Sequence, residues 1–341
     1  MPLPFVPRFV VSALAAAGLV VLAACGQTSS STSASSSASA SASASASTTA
    51  STSASASPSA SVKVSDNLDA IKVTGKYGDK PTVTIKAPYA VDKTRVTVLH
   101  EGTGTKIPAG GYVDVLYSGS NGRTGKVFQE TYSQKKSVAF PLDQVVPGFA
   151  KGLEGQRIGS RVLVAMPGVD GYDAMGGQAD IGVLVGDTLV FVIDIQGGSV
   201  AGPTGKQITP RSGLPKVTDT NGKPSIAIPA SDPPKDMVAQ PLTEGTGAKV
   251  AKDDTIVVHY LGVSWKTGKV LEDKYATADS GKLSSTIPGW QKGLVGKRIG
   301  QRVLLVLPPA DGYPQGSNNP PVDAGDTVVY VVDILFTTSQ G

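Results

Sequence analysis

The sequence is poor in the side chains that most enzymes use. Its 341 residues include one cysteine, Cys25, and two histidines, His100 and His259. A Ser-His-Asp or Cys-His hydrolase needs a histidine beside a nucleophile, and no His, Cys or Asp spacing here matches a metal site. The Gly-Thr-Gly segments at 102–104 and 245–247 lack the third glycine of a dinucleotide loop. The sequence therefore argues against a hydrolase and predicts no metal and no cofactor.

The chain also has no large excess of either positive or negative charge. The chain has 31 Lys and Arg against 27 Asp and Glu, and no basic run exceeds two residues. Residues 1–24 contain a single charge, Arg8, so removing them leaves 30 cations against 27 anions. A nucleic-acid surface needs clustered basic residues. No nucleic-acid partner is expected.

The first 24 residues have the pattern of an export signal. Arg8 precedes an apolar stretch over 9–24, which is shorter than the ~20 residues a bilayer span needs. The ending Leu22-Ala-Ala-Cys25 resembles a bacterial lipobox, which implies a lipid on Cys25 and an extracytoplasmic protein anchored to the cell membrane. A cleaved signal peptide followed by a stray cysteine remains the alternative. With one cysteine the mature chain can form no internal disulfide, so its domains must hold by their apolar cores.

A Ser/Thr/Ala tract follows the cysteine. Residues 28–61 contain only these three residue types apart from Pro58. Such a composition has nothing to bury, so residues 25–62 are predicted to be a disordered stalk that carries the lipidated cysteine. As a flexible coil it would span roughly 30 Å.

Beyond the stalk the sequence repeats itself. Glu101-Gly-Thr-Gly104 returns as Glu244-Gly-Thr-Gly247, and Pro147-Gly-Phe149 returns as Pro288-Gly-Trp290. A repeat of this length indicates two tandem globular domains. We predict domain 1 over 63–197, a linker over 198–213 and domain 2 over 214–341.

Each copy is expected to be an α+β domain, with an antiparallel sheet wrapped on one short helix. Leu189, Phe191, Ile193 and Ile195 alternate with more polar positions, a pattern typical of a half-buried strand. Further strands are predicted at Val96–Leu99, Val113–Tyr117, Arg161–Met166, Ile256–Leu261 and Arg302–Leu307. The helix should begin after Pro147 or Pro288. Gly152 and Gly293 weaken it, so it must pack on the sheet.

Five ordered blocks in the second copy indicate a family. They are Val258-His259-Tyr260-x-Gly262, Thr267-Gly268-Lys269, Ile287-Pro-Gly-Trp290, Gly312-Tyr313 and Gly325-Asp-Thr-Val-Val-Tyr330. Together they resemble an FKBP-type peptidyl-prolyl cis-trans isomerase domain. The first copy resembles it less closely, through Tyr117-x-Gly119, Gly125-Lys-Val-Phe128, Val146-Pro-Gly-Phe149, Gly171-Tyr172 and Thr188-Leu-Val-Phe191.

The resemblance implies a hydrophobic bowl in which a prolyl ring rests on an aromatic floor. In the second copy it implies a catalytic set of Tyr260, Glu272, Ile287, Trp290, Tyr313 and Tyr330, with Trp290 as the floor. It implies substrate-binding roles for Leu271 there, and in the first copy for Tyr117, Phe128, Gln129, Val146, Phe149, Tyr172 and Phe191. Ile287 and Val146 match the position whose backbone amide contacts the ligand carbonyl.

Both copies depart from the family where it has Phe-Asp. The first has Phe128-Gln129 and the second Leu271-Glu272, whose longer acid is expected to place its oxygens differently. The second copy is also expected to lose residues between Asp279 and Ile287, where the family has another pocket aromatic.

Two functions remain open at this point. One is an isomerase that assists the folding of exported, proline-containing polypeptides. The other is a binding or chaperone module that holds proline-containing segments without turning them over. The aromatic residues could also be ordinary core, since inward strand and helix positions are apolar in any case.

Overall fold

The computed structural model describes residues 62–338. The predicted signal peptide, Cys25 and nearly all of the stalk lie outside the described residues. No helix within the described part of the chain is long and apolar enough to cross a membrane.

The first domain is a six-stranded antiparallel sheet with one helix. The elements are β1 (Val64–Ser65), β2 (Ile71–Thr74), β3 (Thr82–Ile85), β4 (Ala90–Val91), β5 (Arg95–His100), β6 (Tyr112–Asn121), β7 (Val127–Glu130), β8 (Val138–Pro141), α1 (Pro147–Leu153), β9 (Arg161–Met166) and β10 (Leu189–Gly198). The main sheet has the order β5-β9-β10-β6-β7, and β8 also pairs with β6. The strands predicted in this copy are present with ends shifted by at most a few residues.

The second domain repeats this arrangement. Its elements are β11 (Lys216–Thr220), β12 (Lys223–Ala227), β13 (Val238–Pro241), β14 (Thr255–Ser264), β15 (Val270–Asp273), β16 (Asp279–Lys282), α2 (Pro288–Leu294), β17 (Arg302–Leu307), β18 (Ser317–Asn318), β19 (Pro321–Val322) and β20 (Val328–Thr338). The sheet order is β13-β17-β20-β14-β15, with β16 paired to β14. The α+β prediction with one short α-helix in each copy is confirmed.

Both helices lie very close to the sheet. A Cβ atom on Gly152 would be 2.6 Å from Val164 Cγ2, and one on Gly293 would be 2.6 Å from Leu305 Cδ2. Only glycine allows such an approach. The residue that weakens each helix as an isolated element is therefore the residue that lets it pack.

The predicted half-buried strand is wrong in one respect, because β10 is buried on both faces. Val190 and Val192 have no exposed surface. They belong to a second core that also includes Ile71, Val73 and Val83 of the β2–β3 hairpin. The hairpin β11–β12 covers the corresponding face of the second sheet through Val217 and Ile226.

A buried arginine anchors each hairpin. Arg161, 2 % exposed, donates to both carboxylate oxygens of Asp194 at 2.6 and 2.7 Å and to the backbone carbonyls of Gly75 and Asp79. Arg302 repeats this with Asp333, and it also donates to Asp219 Oδ2 at 2.6 Å and to the carbonyl of Gly222. A buried charge is tolerated only when it is paired in this way.

The segment predicted as a linker, 198–213, is hydrogen-bonded to the second domain. The amides of Val200, Thr204 and Ile208 donate to the carbonyls of Leu335, Gly300 and Leu242 at 2.8–3.0 Å. Val200 is buried together with Phe336, whose ring stacks on Tyr112 with centroids 5.7 Å apart.

Candidate functional site

All six residues of the predicted catalytic set line one cavity in the second domain. The cavity is about 260 Å³, and Tyr260, Glu272, Ile287, Trp290, Tyr313 and Tyr330 share its wall with Ile256, Val258, Asp279, Ser280, Gly281, Ser285 and Thr286. Leu271 packs against the same core without being among the lining residues.

Trp290 forms the floor. It lies on α2, is 7 % exposed, and meets the rings of Tyr260 and Tyr330 edge-to-face at 5.0 and 5.4 Å between centroids. Edge-to-face packing is the arrangement that aromatic quadrupoles favour. The buried indole Nε1 has no hydrogen-bond partner among the described residues.

A chain of hydroxyls and carboxylates forms one side of the cavity. Tyr330 donates to Glu272 Oε2 at 2.9 Å, and the hydroxyl of Tyr313 lies 3.4 Å from that of Tyr330. Tyr260 lies 3.3 Å from both Glu272 Oε1 and Asp279 Oδ2. Glu272 therefore accepts from Tyr330 and shares the hydroxyl of Tyr260 with Asp279.

These tyrosines keep their protons at neutral pH. Burial, reinforced by Glu272, raises the pKa of Tyr330 far above its usual value. Burial and then the carboxylates of Glu272 and Asp279 raise the pKa of Tyr260 in the same way. Burial also raises the pKa of Tyr313. The hydroxyls consequently act as hydrogen-bond donors.

The backbone amide of Ile287 is available to a ligand. Ile287 precedes Pro288, which favours an extended conformation, and its φ and ψ are −62° and 152°. As the residue before α2 it accepts the amide of Trp290 at 3.0 Å, whereas its own N–H has no acceptor within residues 62–338. Ile287 is one of the residues that line the cavity, so this amide belongs to the cavity wall.

Gly262 allows Tyr330 to lie across the sheet. The two residues are paired between β14 and β20, and a Cβ on Gly262 would be 2.6 Å from Tyr330 Cε1. Gly119 has the same relation to Phe191. The glycine in the Tyr-x-Gly motif is therefore needed for this close approach.

The first domain has a corresponding aromatic cluster. Phe149 on α1 lies 4.7 Å from Phe191 and 5.8 Å from Phe140 between centroids. Tyr117, Phe128, Val146 and Tyr172 pack against the same core. Burial raises the pKa of Tyr117 to about 12. Six of the seven residues predicted for this copy are thus brought together. The seventh, Gln129, pairs with Gly119 across the sheet, and its side chain makes no hydrogen bond within residues 62–338.

Strand register corrects the prediction that the second copy loses residues after Asp279. Asp279 pairs with Val258 as Val138 pairs with Val115, and Gly281 pairs with Ile256 as Phe140 pairs with Val113. The strand β16 is therefore complete, and the loop that precedes it is the shorter part. The missing aromatic is a substitution by Gly281.

Sequence reasoning missed Asp279 and Gly281 as cavity residues. Counting back from Leu283, the equivalent of Leu142, would have aligned them, since both leucines directly follow the short strand. The shorter loop before β16 changes the spacing between the two copies, so the sequence alone does not show which residues of β16 correspond to those of β8.

Together these features describe a pair of small α+β domains, each with an aromatic cluster between one helix and an antiparallel sheet. In the second domain a cavity lies over this cluster and is lined by Ile287 and by the tyrosine–carboxylate chain. Among the described residues, no group of three or more His, Cys, Asp or Glu is placed to hold a metal ion.

Comparison with known proteins agrees with this description. The profile of the FKBP-type peptidyl-prolyl cis-trans isomerase family matches residues 103–196 and 247–335, together more than half of the chain. A probable FK506-binding protein of Corynebacterium glutamicum is 33 % identical over 116 residues, covering 33 % of this chain and 97 % of that protein. FkpA of Escherichia coli K12, an FKBP-type isomerase, is 32 % identical over 101 residues, covering 29 % of this chain and 37 % of FkpA.

Among solved structures, the three FKBP domains of wheat FKBP73 match 72 % of this chain and 95 % of that chain, with 18 % identity and a TM-score of 0.32. The chain belongs to the FKBP-type peptidyl-prolyl cis-trans isomerase family. Both N-terminal hairpins, β2–β3 and β11–β12, lie outside the matched ranges.

Proposed function

We propose that this protein catalyses cis-trans isomerisation of X-Pro bonds and that the second domain is the more active one. The observation that carries the proposal is the cavity over Trp290, which is lined by aromatic side chains and by Ile287, whose amide has no acceptor within residues 62–338. A proline-containing segment offers a ring for the floor and a carbonyl for that amide.

The chemistry needs no nucleophile. Rotation about an X-Pro bond crosses a barrier of ~18–20 kcal/mol because the twist breaks amide resonance. The twisted amide is less charge-separated than the planar one, so a dry apolar cavity stabilises it relative to the ground state. A donor aimed at the substrate carbonyl holds one side of the bond while the other side turns.

The tyrosine–carboxylate chain has a positioning role in this scheme. Glu272 accepts from Tyr330 and Tyr260, whose rings flank Trp290. Fixing both rings keeps the cavity open at its apolar floor. Preorganisation of this kind lowers the cost of orienting the substrate.

The proposed setting is the outer face of the cell membrane, where the protein would assist folding of exported polypeptides. The apolar segment over 9–24, the lipobox-like ending at Cys25 and the Ser/Thr/Ala tract support this address. Exported chains contain X-Pro bonds whose uncatalysed isomerisation takes tens of seconds or longer.

The test is a cis-trans assay on an Ala-Leu-Pro-Phe peptide with the full chain. We expect acceleration that is mostly lost in Trp290→Leu and mostly kept in Phe149→Leu. Trp265→Leu is the matched control, because Trp265 is equally buried but packs in the core on the other side of the sheet. Thermal unfolding of each variant separates loss of activity from loss of fold.

Absence of acceleration by the wild-type protein at micromolar concentration would exclude the isomerase and leave the peptide-binding module. Acceleration lost in Phe149→Leu but kept in Trp290→Leu would move the activity to the first domain.

A further inference from the structure

We propose that the second domain prefers proline segments in which a lysine or arginine neighbours the proline, held by Glu272 and Asp279. This deepens the proposed function by naming a substrate class for the same cavity. It rests on that function only for the catalytic readout, because selective binding can be measured without turnover.

The carboxylates of Glu272 and Asp279 compete for a single hydrogen-bond donor, the hydroxyl of Tyr260. The hydroxyl of Tyr260 is 3.3 Å from Glu272 Oε1 and 3.3 Å from Asp279 Oδ2, and it can donate fully to only one of them. The other contacts of these acids are the hydroxyl of Tyr330 on Glu272 and the amide of Ser280 on Asp279. Two carboxylates therefore lie at one edge of the cavity, and their oxygens can accept further hydrogen bonds.

Among the residues that the structure describes, no cation forms a salt bridge with either acid of this pair. Within residues 62–338, neither carboxylate has a lysine, arginine or histidine nitrogen within 4.0 Å. Two lysines of the domain pair with other acids: Lys223 with Asp273 at 2.5 Å and Lys292 with Asp311 at 2.6 Å. The charge at the cavity edge is left for a ligand to balance.

The first domain provides an internal comparison. At the position of Glu272 it has Gln129, and at the position of Asp279 it has Val138, as the strand registers show. The Tyr330 position, which supplies a donor to Glu272, is Phe191 there. The two acids and the Tyr330 hydroxyl that donates to Glu272 are therefore present together in the second domain and absent together from the first.

The acidic edge is also open. Gly281 occupies the place of Phe140, and a Cβ built on it would meet no atom within 4 Å. In the first domain the Phe140 ring lies against the floor residue Phe149 at 5.8 Å between centroids. Losing that ring leaves room for a long side chain beside Asp279.

A lysyl or arginyl side chain fits these features. With the prolyl ring on Trp290, the adjacent residue can extend its aliphatic stem along Tyr260 and place its charge between the two acids. A cation there gains charge-assisted hydrogen bonds and the attraction of nearby aromatic faces. Glutamate at the same peptide position would be repelled.

The experiment compares Ala-Lys-Pro-Phe, Ala-Leu-Pro-Phe and Ala-Glu-Pro-Phe peptides on the full chain, in binding by calorimetry and in catalysis. We expect the lysyl peptide to be favoured over the glutamyl peptide by roughly tenfold, and the preference to shrink as salt rises. Asp279→Val and Glu272→Gln, which install the residues of the first domain, should each reduce the lysyl-to-leucyl ratio by about threefold or more.

Asp253→Asn is the control for net charge. Asp253 is 78 % exposed, forms a salt bridge with Lys252 and is not among the residues that line the cavity. It should leave the lysyl-to-leucyl ratio at the wild-type value. A ratio that responds equally to Asp253→Asn and Asp279→Val would overturn the proposal, because the effect would then be a general charge effect.

The outcomes separate this inference from the proposed function. Catalysis with the same lysyl-to-leucyl ratio in wild type and Asp279→Val overturns the inference and leaves the isomerase standing. Binding selective for the lysyl peptide, lost in Asp279→Val but without catalysis, supports the inference and rejects the isomerase. Asp279 is exposed on a short edge strand, so its substitution is expected to leave the fold intact.

Discussion

Glu272 shows how one side chain can depart from a family pattern and still serve the site. The family has aspartate here, and the longer acid was expected to place its oxygens differently. In the structure the extra methylene lets the two oxygens reach two different tyrosines, Tyr260 and Tyr330. The same reach brings the carboxylate to the hydroxyl that Asp279 also contacts.

The buried indole N–H of Trp290 lowers the stability of the folded protein. A buried N–H without an acceptor costs about 1–3 kcal/mol in folded proteins, and the Trp290 indole is such a group. The aromatic contacts around it offset that cost. Phe149, the counterpart in the first domain, has no such donor.

His259 gives a pH-dependent prediction. Burial lowers its pKa, and the nearby carboxylate of Asp333 only partly opposes this. In the unfolded chain a histidine binds its proton near pH 6.5. Below that value the unfolded state takes up a proton more readily than the folded state, so stability falls as pH falls.

We therefore expect the unfolding temperature to drop between pH 7.5 and pH 5 by less in His259→Gln than in the wild type. Differential scanning calorimetry at both pH values measures this. An equal drop in both proteins would show that His259 does not contribute to the acid sensitivity.

At the scale of elements, the N-terminal hairpins explain why β10 and β20 are buried on both faces. Each hairpin covers the side of the sheet that faces away from the helix and is tied down by a buried arginine. A sheet with one helix would otherwise leave apolar residues such as Val190 and Val192 in water.

Asp219→Asn tests this anchor. The change weakens the partner of Arg302 Nη1, a buried guanidinium, while the pair with Asp333 remains. Because Asp219 is partly exposed, water can replace some of the lost contact, and we expect a loss of about 1 kcal/mol in the free energy of unfolding. Urea unfolding measures it.

Asp253→Asn, which removes an acid from an exposed pair, should change the unfolding free energy by less than about 0.5 kcal/mol. Similar losses in both variants would mean that the hairpin contact adds nothing beyond surface charge.

At the scale of the whole molecule, two copies of one fold have aromatic clusters of different character. The cluster of the first domain is built mainly of phenylalanines, whereas the cavity of the second is lined by tyrosines, a tryptophan and two acids. Tandem domains of this kind can bind different segments of one unfolded chain, which raises the effective concentration of each for the other.

The predicted lipid anchor is tested at this scale. In a bacterial host, Cys25→Ala should move the protein from the membrane fraction to the soluble exported fraction, because a lone alanine cannot be acylated. Fractionation with a labelled fatty acid measures both the location and the modification. Unlabelled protein in the soluble exported fraction for both forms would favour the ordinary cleaved signal peptide, and equal membrane association of both forms would show that a lipid on Cys25 is not the anchor.

Much of the fold could be predicted because strand and helix signals are local. Short apolar runs located Arg161–Met166 and Arg302–Leu307, alternating apolar residues located the strand from Leu189, and proline located the start of each helix. The packing of the β2–β3 hairpin on the second face of β10 could not be predicted. Alternation along a strand indicates which face is apolar, but it does not indicate which element packs on the opposite face. Asp279 and Gly281 were not predicted as cavity residues, because the face of the sheet on which they lie depends on how β16 pairs with β14. The shorter loop before β16 obscures that pairing in the sequence.

By itself the amino-acid sequence determined the duplication and the α+β class, because motif order and local periodicity carry that information. Its resemblance to the FKBP family implied the six residues that line the cavity, Trp290 among them. Only the tertiary structure decided that Glu272 and Asp279 share one hydroxyl and that an exposed acid stands beside an empty Gly281 position. Those features arise from strand register and from distances between segments far apart in the chain, which no local pattern encodes.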